Sequence, residues 1–156
     1  MKGSANVIDT LNDILTAELT AVNQYFIHAK MCKNWGFVRI AEHVRKESID
    51  EMKHADELIE RILFLEGVPN VQRYNKITVG EHVQEQFELD LKMEYDAVER
   101  FRKGIRLCRD EGDITSADLL ERMLESEEGH VDWLETQLQL IEQIGAKHYL
   151  AQQIKD

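Results

Sequence analysis

Two short stretches of this chain have the residue types and spacing of metal ligands, Glu51-x-x-His54 and Glu127-x-x-His130. On a helix, residues three apart share a face, so each stretch presents a carboxylate and an imidazole together. With six histidines in 156 residues, one such pair carries little weight. The register carries more. Glu18 precedes Glu51 by 33 residues, and Glu94 precedes Glu127 by the same 33. Glu18, Glu51 and His54 each have a counterpart 76 residues on, at Glu94, Glu127 and His130. Two facing halves of this kind would bring four Glu and two His to one level of a helical core. Burying four carboxylates together costs several kcal/mol each unless positive charge compensates. Two divalent ions would balance four carboxylates. Oxygen-rich ligation with two imidazoles and no thiolate points to iron or manganese over structural zinc. The rival is a scaffold whose central acids pair with Lys or Arg, but no basic residue stands on the inner stripes beside Glu18, Glu94 or Glu127. Tyr25, two helical turns after Glu18 on the same face, suits a hydrogen-bonding or radical partner and equally an ordinary core position.

Four long helical patterns are needed to position these groups, and the sequence supplies four. The first, about residues 5–34, carries Leu11, Ile14, Leu15, Val22 and Tyr25 at three- and four-residue steps, and Trp35-Gly36 breaks it. The second, about 37–66, carries Ile40, Val44, Ala55, Leu58 and Ile62 and stops at Gly67, with Pro69 just beyond. Thr78-Val79-Gly80-Glu81 reads as a capping box opening the third, about 80–109, with Val83, Phe87, Leu91, Val98, Phe101 and Ile105. Thr115, with Asp118 three residues later, caps the fourth, about 115–144, which carries Ala117, Leu120, Leu124, Val131, Leu134, Leu138 and Ile141. Gly145 ends it. Residues 1–145 thus form the bundle and 146–156 a short amphipathic tail of the same domain. In each long helix an acid interrupts the apolar stripe near its middle, and these acids are Glu18, Glu51, Glu94 and Glu127.

Connection lengths decide topology. Short turns after helices one and three force antiparallel neighbours. Helices of thirty residues are about 45 Å long. The stretch around Pro69, at ~3.3 Å per extended residue, reaches roughly 40 Å and can return along the bundle. The expected fold is all-α, a four-helix bundle with one long crossover and a short C-terminal fifth helix.

Composition narrows the partners. Thirty acids against nineteen bases give a net charge of −11, which argues against nucleic acid and favours small cations. Cys32 and Cys108 follow no metal or disulfide spacing and read as packed, reduced thiols of a cytoplasmic protein. No segment approaches the ~18 apolar residues of a membrane span, and the start is no signal peptide. His28, His43, His82 and His148 lack ligand-spaced partners and read as surface or interface residues. Met52 is rotated ~100° from the metal-facing direction of its helix. It shares a second row with Ile49 and Ile59, beside Leu19, Asn23 and Phe26 of helix one. Such a row marks an interface, with Met52 as its flexible gap-filler.

The segments Ala17–Phe26, Glu47–Asp56, Arg61–Gly67 and Glu127-Glu128-Gly129-His130 resemble the bacterioferritins, and the likeness runs from Met1 through the tail. The resemblance implies a ferritin-like bundle assembled through twofold dimers into a 24-subunit cage. Each subunit would hold two iron ions, and each subunit pair one haem b. The implied activity is that of a ferroxidase, an Fe(II):oxygen oxidoreductase using O2 or H2O2, which stores the product as an iron(III) mineral. A small redox partner would serve iron release. By motif match Glu18, Glu51, His54, Glu94, Glu127 and His130 are the metal and catalytic residues, with Glu51 and Glu127 bridging, and Met52 is the haem axial ligand. Two departures stand out. Lys46 occupies a position where many relatives carry a histidine for an extra inner-surface iron site, and Gln139 replaces an acid beside a pore. Two rivals remain, a di-iron oxidase acting on an organic substrate or peroxide and a rubrerythrin-like peroxidase. The latter would need a cysteine-rich domain that this chain lacks.

Overall fold

The computed structural model describes residues 1–155, so Asp156, the last residue of the expected tail, lies outside the described residues. The helices are α1 (Ala5–Asn34), α2 (Val38–Phe64), α3 (Val83–Asp110), α4 (Ile114–Ile144) and the short α5 (Ala146–Ala151). Among the described residues no helix is long and apolar enough to cross a membrane.

Helix ends follow local chemistry. After α1, Gly36 adopts a left-handed conformation (φ 91°), and the Gly36 and Phe37 amides return to the Lys33 and Cys32 carbonyls. That closure satisfies carbonyls the helix would otherwise leave open and reverses the chain. Gly112 does the same after α3, with the Asp113 amide on the Cys108 carbonyl. After α2 the left-handed position falls to Glu66 (φ 64°), one residue before the Gly67 stop expected from the sequence. Gly67 is needed for space instead, because a Cβ there would lie 2.7 Å from Ile8 Cγ2.

Two helix starts differ from expectation. α3 begins at Val83, not near 80, because His82 is its N-cap: Nδ1 accepts from the Glu85 amide while the Glu85 carboxylate accepts from the Glu81 amide. Thr78 cannot cap, since its amide and hydroxyl are both held by Gln24 Oε1. Likewise α4 is capped by Asp113, not Thr115; its carboxylate accepts from the Ser116 amide and hydroxyl and pairs with Arg61.

The core is divided. One cluster packs Leu11, Ile14, Leu15, Leu58, Ile62, Phe101, Ile105 and Leu120. The other packs Tyr25, Ile40, Val44, Phe87, Leu134, Ile141 and Tyr149, so α5 closes the second end of the bundle. Helices α1 and α2 form one antiparallel pair and α3 and α4 the other, joined mainly through α1 and α3. Cys32 and Cys108 are buried free thiols, and burial pushes them up to about 12 and about 11.

The crossover, residues 65–82, is tied to α1 at every turn. Asn12 Nδ2 donates to the Val68 carbonyl and Asn12 Oδ1 accepts from the Asn70 amide. Thr16 Oγ1 accepts from Arg73 Nε, Thr20 Oγ1 from the Asn75 amide, and Gln24 Oε1 from the Thr78 amide. His28 Nε2 accepts from the Gly80 amide. The donors and acceptors at 12, 16, 20, 24 and 28 recur every fourth residue, so one row of α1 supplies the partners that an extended chain lacks. The crossover therefore runs alongside α1, and α3 starts parallel to α2.

Candidate metal centre

Between the two apolar clusters lies a polar layer. Glu18, Glu51, Glu94 and Glu127 are each no more than 1% exposed, and His54 and His130 are buried with them. The register read from the sequence thus brings all six to one level. Two quartets share this layer, Glu18, Glu51, His54 and Glu127 on one side and Glu51, Glu94, Glu127 and His130 on the other. Within each, one donor atom per residue lies within 4.8 Å of the others.

The two shared carboxylates divide their oxygens. Glu51 Oε2 and Glu127 Oε1 stand 3.7 and 3.3 Å from His54 Nδ1. Glu51 Oε1 and Glu127 Oε2 stand 3.0 and 3.3 Å from His130 Nδ1. Glu18 Oε2 (3.6 Å from His54) and Glu94 Oε1 (3.6 Å from His130) complete the two ends. Both oxygens of Glu51 and of Glu127, one each of Glu18 and Glu94, and both Nδ1 atoms are buried without a hydrogen-bond partner. Buried polar groups are normally satisfied. Eight convergent orphan atoms are what a pair of cations with oxygen and nitrogen ligands would use.

Protonation in this layer is collective. Burial works against a charged His54, but the adjacent Glu127 and Glu51 carboxylates outweigh it and raise the imidazole to about 10. His130 is raised by Glu127, Glu51 and Glu94, again against burial. Burial and the adjacent Glu127 hold the Glu94 carboxyl well above its usual range. Metal-free, the layer relieves its charge by keeping protons.

Tyr25 takes the hydrogen-bonding role, its hydroxyl donating to Glu94 Oε1 at 2.5 Å. A cavity of about 340 Å³ between α1, α3 and the crossover is lined by Glu18, Glu51, Glu94 and Glu127 and extends to Asn75, Lys76 and Thr78.

Other residues of the layer were not picked out from the sequence. Glu47, one turn before Glu51, is buried with Oε2 unpartnered 3.7 Å from His130 Nδ1. Its Oε1 meets His43 Nε2 at 2.6 Å, and His43 stacks on Trp133. Asp90, one turn before Glu94, is buried between Gln24 and His28. Acids four residues before two of the central glutamates were the available signal. His28, expected at the surface, is 1% exposed. Because Nε2 accepts from Gly80, its proton sits on Nδ1 and is donated to Asp90 Oδ1 at 2.9 Å. Met52 lies outside the layer, half-exposed as its helical phase required.

The Ferritin-like domain family model matches residues 8–144. The chain is 51% identical over 152 residues to Bacterioferritin BfrA of Mycobacterium tuberculosis, covering 97% of this chain and 96% of that one. It is 50% identical over 151 residues to the Bacterioferritin of Streptomyces coelicolor (97% and 90% covered). With that of Brucella melitensis it is 48% identical over 149 residues (96% and 92%). A family match over most of the chain, with identity at this level across almost the whole of each relative, leaves one conclusion: the chain belongs to the bacterioferritins.

Proposed function

We propose that this protein stores iron and that its buried layer oxidises incoming iron(II). The observation that carries the reading is the division of Glu51 and Glu127, each offering one oxygen to each of two neighbouring sites. Glu18 and His54 would hold one ion, Glu94 and His130 the other, with Glu51 and Glu127 between them. Bound as a pair, iron(II) supplies two electrons, enough with two protons to take dioxygen to hydrogen peroxide or peroxide to two waters. The chain does the rest. Four carboxylates offset the charge of two divalent ions, so the pair can be held away from bulk water. The Tyr25 hydroxyl fixes the orientation of Glu94. Asp50 Oδ2 lies 3.8 Å from His130 Nε2, the other nitrogen of that ring. The test is stopped-flow oxidation of iron(II) by the wild type and by Glu94→Ala and Glu127→Ala. The fast phase belongs to the wild type alone, and normal rates in both variants would remove the assignment.

The wider reading follows the family. The subunits would close into a 24-membered cage built from twofold dimers, in the cytoplasm. One haem b would lie at each twofold between two copies of Met52. Met52 (53% exposed), Phe26 (46%) and Ile49 (44%) present an apolar surface on α1 and α2 outside the bundle's own core. A thioether in such a row fits the axial ligation of a haem shared across a twofold. Met52→Leu should lose the haem absorption bands while assembling and oxidising iron(II) normally; a spectrum unchanged from wild type would exclude Met52 as ligand. A small redox partner would feed electrons to the haem for iron release.

A further inference from the structure

The haem row does not end at Met52. One helical step back along it is Ile49, and the next position is Arg45, seven residues and about 10 Å along α2 from Met52. The Arg45 guanidinium lies 5.9 Å from the centre of the Phe26 ring, the aromatic that borders the same row on α1. Arg45 and Phe26 line a groove of about 390 Å³ between α1 and α2, and Lys30 and Lys33 stand on its α1 side. Glu42 is the one acid among its lining residues, against three cations. Among the described residues none of these three cations forms an ion pair; Arg45 shares this with Arg39, Arg73 and Arg106, whereas the other five arginines are paired. An unpaired guanidinium held over an aromatic face is poised for a planar anion, which it can grip with two parallel hydrogen bonds.

Resting on the reading that haem binds between two Met52 thioethers, we propose that Arg45 is the anchor for a haem carboxylate. Haem carries two propionates on one edge of its ring. Two protomers related by a twofold offer two such grooves, one Arg45 for each carboxylate. The apolar row of Met52, Ile49 and Phe26 takes the ring, and the groove beyond Phe26 takes the charge. Lys30 and Lys33 reinforce the local field, and Arg45 provides the geometry. A positive charge fixed beside the ring also favours the reduced haem, which carries one positive charge fewer.

The test compares wild type, Arg45→Leu and Arg45→Lys as assembled protein, each reconstituted with haem b and with its dimethyl ester, whose carboxylates are blocked. Two quantities are read, the rate of haem transfer to an excess of a haem-scavenging protein and the haem reduction potential. With haem b, Arg45→Leu removes both Arg45 contacts of each haem and should lose haem about a hundredfold faster, about tenfold for each charge-assisted contact, and its potential should fall. Arg45→Lys should recover part of both. With the dimethyl ester, wild type and Arg45→Leu should lose haem at the same rate. Equal haem loss and equal potential in wild type and Arg45→Leu would overturn the proposal, as would a difference in haem loss of the same size with the ester. Failure of the underlying haem reading looks different: Met52→Leu would then keep the wild-type haem spectrum, or no haem would bind to the wild type at all.

Discussion

At the level of single residues, the central layer is a place where stability and function oppose each other. Four carboxylates within one core repel, and only protons or metal relieve them. Glu127→Ala should therefore remove rapid iron(II) oxidation while leaving the metal-free protein at least as stable as wild type; thermal melts of both proteins without metal check the second half. A marked loss of metal-free stability would mean that Glu127 holds the fold together, not a cation. His28 shows the opposite economy. Its ring satisfies the Gly80 amide on one side and Asp90 on the other, both away from water. His28→Ala should cost about 2 kcal/mol, since it strands a buried donor and a buried acceptor, and denaturant unfolding measures it. The ring's role could not be read from the chain because Asp90 lies 62 residues away and no local spacing joins them. Glu18, Glu51, Glu94 and Glu127, by contrast, were legible because each breaks an apolar stripe whose period is fixed by the helix itself.

At the level of elements, the four helices follow from their stripes, and the ends of two do not. Thr78 and Thr115 have the residue type of a cap, but Thr78 is claimed by Gln24 of α1, and Asp113 lies ahead of Thr115 with an Arg61 partner. Tertiary contacts chose between neighbouring local options, and a sequence window does not contain them. The Asp113 cap has a testable pH signature. Burial would raise its carboxyl, but the bonds from Ser116 and the charge of Arg61 more than reverse this, and the folded value lies below the ordinary 3.8. A depressed carboxyl contributes stability that is fully present above 3.8 and is lost as pH falls through the lower folded value. Asp113→Ala should cost about 1 kcal/mol at neutral pH, and the gap from wild type should close in acid. A penalty independent of pH would show that packing, not the cap, is lost. The crossover was legible as a length that could span the bundle. Its fastening was not, although Asn12, Thr16, Thr20, Gln24 and His28 form a polar row at four-residue spacing that an amphipathic reading treats as mere outer surface.

At the level of the whole molecule, a metal bound in the one polar layer between two apolar clusters would be part of the fold. A ligand that binds only the folded state stabilises it by mass action. A redox-inert divalent ion should therefore raise the melting temperature at neutral pH, and the rise should shrink in acid as protons compete for carboxylates and imidazoles. The outer face bears on the proposed assembly: a twofold copy of the same face would cover the apolar surface around Met52. The most direct test of the proposed centre is the number of iron(II) ions that the layer would oxidise at once. Increments of iron(II) added to the metal-free protein under air, followed by the absorbance of the iron(III) product in the fast phase, give that number. The wild type should break at two iron(II) ions per subunit, and Glu127→Ala should show no fast phase. A break at one ion per subunit, or a fast phase that survives in the variant, would contradict the proposed centre.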